Sequence, residues 1–506
     1  MRSKIAQACA VVTAALWLTG AGPPSGLERQ IESVLAAMPT VQSAFIGIAV
    51  TSLRTGRPLY ERNQDHLFIP ASNTKLFSTA LALTRLGANH RFKTVVTADR
   101  GPDPDGTITG DLTLVGGGDP SLSARIYPYR KPLPDEGRDA RYSLAAVEEL
   151  ADQLVSAGIK TVTGDVVGDD RRYIWEPYPE SWAVGDTVSD DGAAVSALMV
   201  DDNTIALTIG PGENMGDPAR IAMTPALAWF ALDNRVRTEE VSKRHIYIAR
   251  PEGSGELRLW GTIPPKDTGE TTLVSVGEPA EYAAEALRDA LARRGVSIHG
   301  RAVARHRWYD EIGDRERAEA PFAVTGVELA HRSSPPLSQV LQVVAKVSQN
   351  LHAEVLLREV GAVRRNLGSR EAGLAELAAF ATEAGIKDSE YRFGDGSGLS
   401  RTNLVSPAAV VKLLARMYRS ADRDLWMGLL PVAGLDGTLS RRFENRKEAR
   451  KIQAKTGTLS HVRAFSGYAQ SPLYGPLAFS ILINNAVVPG VEMTKFIDRL
   501  GWKLLR

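Results

Sequence analysis

The chain has 506 residues and is nearly neutral, with 60 Lys plus Arg against 59 Asp plus Glu. That length suggests about three domains, and the charge balance argues against a nucleic-acid partner. Hydrophobic residues at 43% and charged residues at 24% match a globular chain, which excludes wholesale disorder and a collagen-like or coiled-coil build.

In chain order, Met1-Arg2-Ser3-Lys4 precedes an apolar run from Ile5 to Leu18 and the small residues Thr19-Gly20-Ala21. A basic start, a short apolar core and small residues at its end read as a signal peptide over 1–21, with an uncleaved anchor as the alternative. The expected location is the exported side of the membrane, periplasmic or at the cell wall, with peripheral or no membrane contact. Cys9 is the sole cysteine, so cleavage leaves a chain able to form neither a disulfide nor a thiolate metal site.

Helical spacing marks 27–35, followed by an apolar strand over 43–52 and a hairpin return through Leu59-Tyr60-Glu61. A helix is expected from Ser72 to Leu86, stopped by Gly87. Over 91–115 the pattern predicts strands joined at Pro102-Asp103-Pro104-Asp105-Gly106, then a turn at Gly116-Gly117-Gly118. A helix over 142–158, a strand over 161–168, a β-rich stretch over 257–276 and a helix over 278–295 follow. Residues 338–362 read as two helices meeting at the polar corner Ser348-Gln349-Asn350, and 371–385 and 407–418 as further helices. Strands over 451–459, 462–470 and 477–484 and a helix over 491–505 close the chain. The two ends together supply five strands and two helices, enough for one antiparallel sheet covered by terminal helices. The absence of repeats and low-complexity linkers favours a nested insertion in the middle.

Ser72 and Lys75 stand three apart at a helix start, so one face carries both. A desolvated lysine there can lose its proton and serve the serine as general base, while backbone N–H groups point toward a developing oxyanion. Taken alone this spacing is common, and an exposed serine beside a solvated lysine would explain it. It gains meaning from Ser348-Gln349-Asn350 and Lys455-Thr456-Gly457-Thr458, which follow in the order used by active-site serine penicillin-interacting enzymes.

With these motifs, with Ser348-Gln349-Asn350-Leu351-His352-Ala353-Glu354, with Asp395-Gly396-Ser397-Gly398-Leu399-Ser400, with Gly434-Leu435-Asp436-Gly437-Thr438-Leu439 and with Gly192-Ala193-Ala194-Val195-Ser196-Ala197-Leu198, the chain resembles the class C low-molecular-mass penicillin-binding proteins. These form the D-alanyl-D-alanine carboxypeptidase/endopeptidase family of serine peptidases, of S13 type. Ser72 and Ser348 are 276 positions apart but Ser348 and Lys455 only 107. The resemblance implies an α/β fold of α+β type: a transpeptidase/β-lactamase-like catalytic domain, with a five-stranded antiparallel sheet flanked by helices, made of 22–93 and 320–506. The inserted region, 94–319, would hold two nested β-rich domains.

The resemblance also implies roles. Ser72 is the nucleophile that forms an acyl-enzyme, Lys75 its base, Ser348 a proton relay toward the leaving amine, and Asn350 a hydrogen-bonding partner of Lys75 and substrate. Lys455, Thr456 and Thr458 bind the terminal carboxylate, Gly457 leaves room for substrate, and the N–H groups of Ser72 and Thr458 form the oxyanion hole. The implied activity is hydrolysis of D-alanyl-D-alanine bonds in peptidoglycan stem peptides, as carboxypeptidase, endopeptidase or both, with β-lactams as covalent inhibitors. No cofactor and no metal is expected. The alternatives are a serine β-lactamase, which needs an efficient deacylating water, and a peptidoglycan-binding protein that kept the fold without catalysis. His352 stands where an aromatic such as Tyr is expected and is read as a packing residue. Asp395 and Asp436 are read either as cleft-lining or as turn-forming residues. The run from Arg441 to Lys451 is read as a solvated face.

Overall fold

The structure, a computed structural model, describes residues 26–38, 41, 43–131, 144–251, 253–311 and 313–506. The proposed signal over 1–21 and the first two residues of the helix expected at 142 lie outside them. Helix α1 (Gly26–Ala36) leads into β1 (Phe45–Ser52) and β2 (Pro58–Arg62), then a single 3-10 turn (Ala71–Asn73) and α2 (Thr74–Leu86). Next come β3 (Lys93–Ala98), β4 (Thr107–Ile108), β5 (Leu112–Val115), α3 (Ala145–Ser156), β6 (Thr161–Val162) and β7 (Val166–Ile174). Then follow β8 (Thr204–Gly210), β9 (Arg220–Thr224), β10 (Ala231–Thr238), β11 (His245–Ala249), β12 (Glu256–Ile263), β13 (Glu270–Ser275), α4 (Pro279–Arg293), β14 (Ser297–Ile298), β15 (Ala302–Arg307) and β16 (Val327–Ser333). The last part holds α5 (Leu337–Lys346), α6 (Asn350–Arg365), α7 (Arg370–Glu383), β17 (Tyr391–Arg392), β18 (Leu404–Val405), α8 (Pro407–Arg419), α9 (Arg423–Leu429), β19 (Ile452–Leu459), β20 (Val462–Ser471), β21 (Gly475–Asn484) and α10 (Gly490–Leu504).

The two ends of the chain meet as expected. One antiparallel sheet has the order β19-β20-β21-β1-β2. Period-2 alternation explains its two faces. Ile46, Ile48, Val50, Phe479, Ile481 and Phe465 face one side, where α1 lays down Leu27, Ile31, Val34 and Leu35 beside Phe496 of α10. Each of those buried aliphatic side chains is worth about 1.5–3 kcal/mol. The intervening residues Ala49, Ala478, Leu482 and Ala464 face Leu76, Phe77 and Leu81 of α2 and the helices of the later part. Gly47 is forced by that packing, because a Cβ there would lie 2.4 Å from the Phe68 ring.

Between α2 and α5 the chain forms its own apolar core around α3 and α4. A mixed five-stranded sheet, β15-β7-β5-β3-β16, has β3 and β16 side by side and antiparallel, with Lys93 opposite Ser333, so the excursion leaves and returns through adjacent strands. Among the described residues, three smaller three-stranded sheets accompany it.

One expectation in this stretch fails. Residues 161–168 are not one strand: β6 and β7 belong to different sheets, divided at Gly164, where a Cβ would stand 2.4 Å from Asp111 Oδ1. The turn at Pro102–Gly106 does join two strands, but β3 and β4 do not pair with each other: β3 pairs with β5 and β4 with β6. Asp103 does shape the turn there, its carboxylate accepting from the N–H groups of Asp105 and Thr107.

Candidate active site

The expected helix from Ser72 begins later than the sequence pattern suggests. Ala71 is in the left-handed region (φ 48°), Ser72 lies in the 3-10 turn, and α2 proper starts at Thr74. The tight turn still keeps the serine over the lysine: Lys75 Nζ donates to Ser72 Oγ at 3.0 Å. Lys75 is wholly buried and also donates to Asn350 Oδ1 (2.5 Å) and to the Ser397 carbonyl (2.6 Å). Burial pulls its pKa down to about 8, against the pull of the Asp395, Glu354 and Asp191 carboxylates.

The polar corner is real and strained. Ser348 has φ 68° between α5 and α6, a conformation that costs a non-glycine residue of order 1–3 kcal/mol and is kept only where the surroundings impose it. That bend turns Ser348 Oγ to accept from Lys455 Nζ at 2.8 Å, while Asn350, first residue of α6, faces Lys75. The other end of the Asn350 amide donates to the Asp191 carbonyl at 2.8 Å, which ties the motif to the excursion between α2 and α5.

Lys455 sits on the α2-facing side of β19, opposite Ser466 of β20. Ser466 accepts from Asn73 Nδ2 (2.7 Å) and donates to Ser480 (2.9 Å), a polar floor beneath the nucleophile's turn. Burial, and then the neighbouring Lys75 ammonium, push Lys455 well below the ordinary lysine range. Strand β19 is a sheet edge. Ala454 N–H points outward to the Pro431 carbonyl, so alternation aims the N–H groups of Thr456 and Thr458 out along the same edge. Gly457 has a tighter reason than room for substrate: a Cβ would stand 2.7 Å from Pro70 O and 3.1 Å from Ser72 N. Its bare backbone lets the strand approach the nucleophile's turn. Thr456 Oγ1 donates to Thr438 Oγ1 at 2.8 Å, and Thr458 is exposed at the rim.

All eight sequence-derived residues therefore fall in one cluster drawn from the 3-10 turn and α2, the α5–α6 corner and β19. Several supporting groups escaped the sequence reading as site members. Glu354, one turn after Asn350 on α6, accepts from the N–H groups of Gly396 (2.9 Å) and Ser397 (2.8 Å), fixing the backbone just before the Ser397 carbonyl that holds Lys75. Burial, and then the Asp395 charge, raise its pKa to about 7. Asp395 is buried and does not line the cleft; it accepts from Gly398 N, Ser400 N, Asn403 Nδ2, Ser397 Oγ and Trp182 Nε1. Asp436 likewise holds a turn, accepting from Val432 N (2.8 Å) and Lys346 Nζ (2.6 Å). The turn-forming reading of both residues is the one their contacts support. His352 is buried, with Nε2 2.8 Å from Asp202 Oδ1, and burial lowers its pKa. It packs between α6 and the excursion and touches neither Ser72 nor Lys75 through any hydrogen bond.

Residues 27–500 match the profile of the D-Ala-D-Ala carboxypeptidase 3 (S13) family. The D-alanyl-D-alanine carboxypeptidase of Actinomadura sp. (strain R39) is 33% identical over 477 residues, 91% of this chain and 81% of that protein. The D-alanyl-D-alanine carboxypeptidase DacB of Haemophilus influenzae is 24% identical, over 87% of this chain and 85% of its own. The crystal structure of penicillin binding protein 4 from Haemophilus influenzae superposes with a TM-score of 0.77 at 21% identity, covering 93% of this chain and 97% of that one, which shows a shared fold.

Proposed function

The chain belongs to the D-Ala-D-Ala carboxypeptidase 3 (S13) family, and we propose that it is an exported, penicillin-sensitive serine DD-peptidase that hydrolyses D-alanyl-D-alanine bonds of peptidoglycan stem peptides. One observation carries the reading: a buried lysine with its pKa lowered to about 8 donates to the hydroxyl of the serine three residues before it. Ser72 Oγ attacks the peptide carbonyl as its proton passes to Lys75. Charge develops on the carbonyl oxygen between the N–H groups of Ser72 and Thr458. The C–N bond breaks, the departing D-Ala amine takes a proton by way of Ser348, and an acyl-serine remains for water to hydrolyse.

Lys455, Thr456 and Thr458 receive the substrate's terminal carboxylate. Free of a counter-ion and beside Lys75, Lys455 is driven toward its neutral form; a bound carboxylate supplies the missing charge and raises its affinity for a proton. In this reading 22–93 with 320–506 forms the catalytic domain, 94–319 is the insert, and 1–21 is the export signal.

The test is intact-mass spectrometry after incubation with benzylpenicillin, beside Ser72→Ala. A stoichiometric adduct on wild type alone, with D-alanine released from a D-Ala-D-Ala-terminated peptide, is expected. An intact β-lactam with no adduct on folded protein returns the chain to a wall-binding module. Rapid loss of the β-lactam without an adduct makes it a β-lactamase.

A further inference from the structure

The catalytic reading leaves one strongly charged surface unused, at the end of the terminal sheet that the β1–β2 and β20–β21 turns share. Leu53 N–H donates to the Pro476 carbonyl at 2.9 Å, Ser471 Oγ donates to the Arg506 carbonyl at 3.0 Å, and a Cβ on Gly26 would lie 3.6 Å from Tyr474 Oη. Ile452 pairs with Ala469, which brings the start of β19 to the same end. Four segments therefore converge there: residues 52–58, 447–451, 471–476 and 499–506.

These 26 residues carry eight Lys or Arg side chains and one carboxylate side chain, Glu448, a net +7 in a chain whose total is +1. The rest of the molecule consequently sums to −6. Arg54, Arg57, Arg450, Lys451 and Arg506 are exposed, Lys503 is half-buried, and none of the six joins an ion pair among the described residues. Arg442 and Arg446 close by are paired, with Asp498 and Glu444. Beyond the charge, the β20–β21 turn projects Leu473 at 69% exposure.

We propose that this end of the molecule, with its convergent unpaired Lys and Arg side chains around the Leu473 tip, is a docking face for an anionic lipid surface. Charge complementarity supplies the attraction, and an exposed leucine at the outermost turn suits insertion among acyl chains, which a soluble polyanion would not reward. The edge of β19 that offers Thr456 and Thr458 begins several residues beyond Lys451, so a docked molecule keeps its site off the lipid plane.

The full chain is sedimented with phosphatidylglycerol-rich vesicles and with pure phosphatidylcholine vesicles, the second reporting whatever residues 1–25 contribute without charge. Binding is expected to favour the anionic vesicles and to weaken as salt rises. The variant Arg54→Glu/Arg57→Glu/Lys451→Glu/Lys503→Glu is expected to lose that preference by about 100-fold or more while still being acylated by benzylpenicillin. Should it fail to acylate, Arg54→Gln/Arg57→Gln on the turn alone is expected to weaken the preference by about tenfold or more. Equal binding to both vesicle types, an undiminished preference in the acylation-competent variant, or capture by soluble polyglutamate with no vesicle preference overturns the proposal, the last in favour of an anionic polymer.

Discussion

At the scale of single residues, Lys75 connects structure to a measurable pH dependence. Its conjugate acid has a pKa of about 8, lowered by burial, so the neutral amine that can take the Ser72 proton grows about tenfold per pH unit up to that value and then levels off. The acylation rate with benzylpenicillin, followed by stopped-flow quenching or mass spectrometry, is expected to rise along a single limb with its midpoint near 8. Lys75→Ala should lose the limb along with about 10²–10⁴-fold of the rate. Gly457 supports a second expectation of different kind. In Gly457→Ala the new methyl meets two backbone atoms, Pro70 O and Ser72 N, and backbone cannot yield as a side-chain tip does. The strand must retreat from the nucleophile's turn, so acylation is expected to fall by about 100-fold or more with an overpacking cost of about 1–3 kcal/mol. Unchanged acylation kinetics with a lowered denaturation midpoint would show that the contact serves packing alone.

At the scale of elements, the loop between β17 and β18 illustrates how a buried carboxylate builds a site without entering it. Asp395 satisfies two backbone N–H groups and three side chains, and that wrapping, with Glu354 on the other side, presents the Ser397 carbonyl to Lys75. Asp395→Ala strands those donors in a buried place and is expected to cost about 3 kcal/mol or more in urea unfolding, with acylation falling too. An unchanged midpoint would deny the loop its dependence on this residue. Such a role was only half legible in the sequence. Ser72 and Lys75 could be picked out from their spacing at a helix start, and Ser348, Asn350 and Lys455 from the motif order shared with the family the chain resembles. Glu354 and Asp395 lay in runs that resemble the family, but a carboxylate that accepts from backbone leaves no spacing signature. The terminal elements were readable for a related reason: Ile46, Ile48 and Val50 alternate against Gly47 and Ala49, and α1 repeats Leu27, Ile31 and Leu35, so burial on one side wrote the period into the sequence. Strands β6 and β7 were fused in the reading because Gly164 breaks a run whose composition is β throughout. Which sheet each half joins depends on β5, β14 and β15, far along the chain.

At the scale of the whole molecule, the catalytic motif and the excursion between α2 and α5 meet at one seam. Asp201, Asp202 and Asn203 are three consecutive residues in the left-handed region, a conformation Asn and Asp tolerate better than most side chains. Asp202 reaches across to His352 on α6 and is held ionised by Arg125, while Asn203 Nδ2 donates to the Ala194 carbonyl. Asp201 turns inward, accepting from Leu144 N–H with one oxygen. Burial, helped by the Asp202 charge and opposed by that N–H, raises its pKa to about 7 from the usual carboxylate value near 4. A raised carboxyl pKa means that the native state holds the proton more tightly than the unfolded chain. The penalty for ionising Asp201 is therefore fully present above pH 7 and is relieved as the pH falls through 7 toward 4. Asp201→Asn removes that penalty, keeps an oxygen for Leu144 and suits the left-handed backbone. It is expected to exceed wild type in stability by about 4 kcal/mol at pH 8, with the difference shrinking to about 1.5 kcal/mol at pH 5 and vanishing only below pH 4. Chemical denaturation of both proteins at the two pH values checks it. A difference that does not change with pH would mean that folding leaves the Asp201 pKa at its unfolded value. Because Lys75 needs the higher pH to lose its proton, the seam then costs most stability where the base works best.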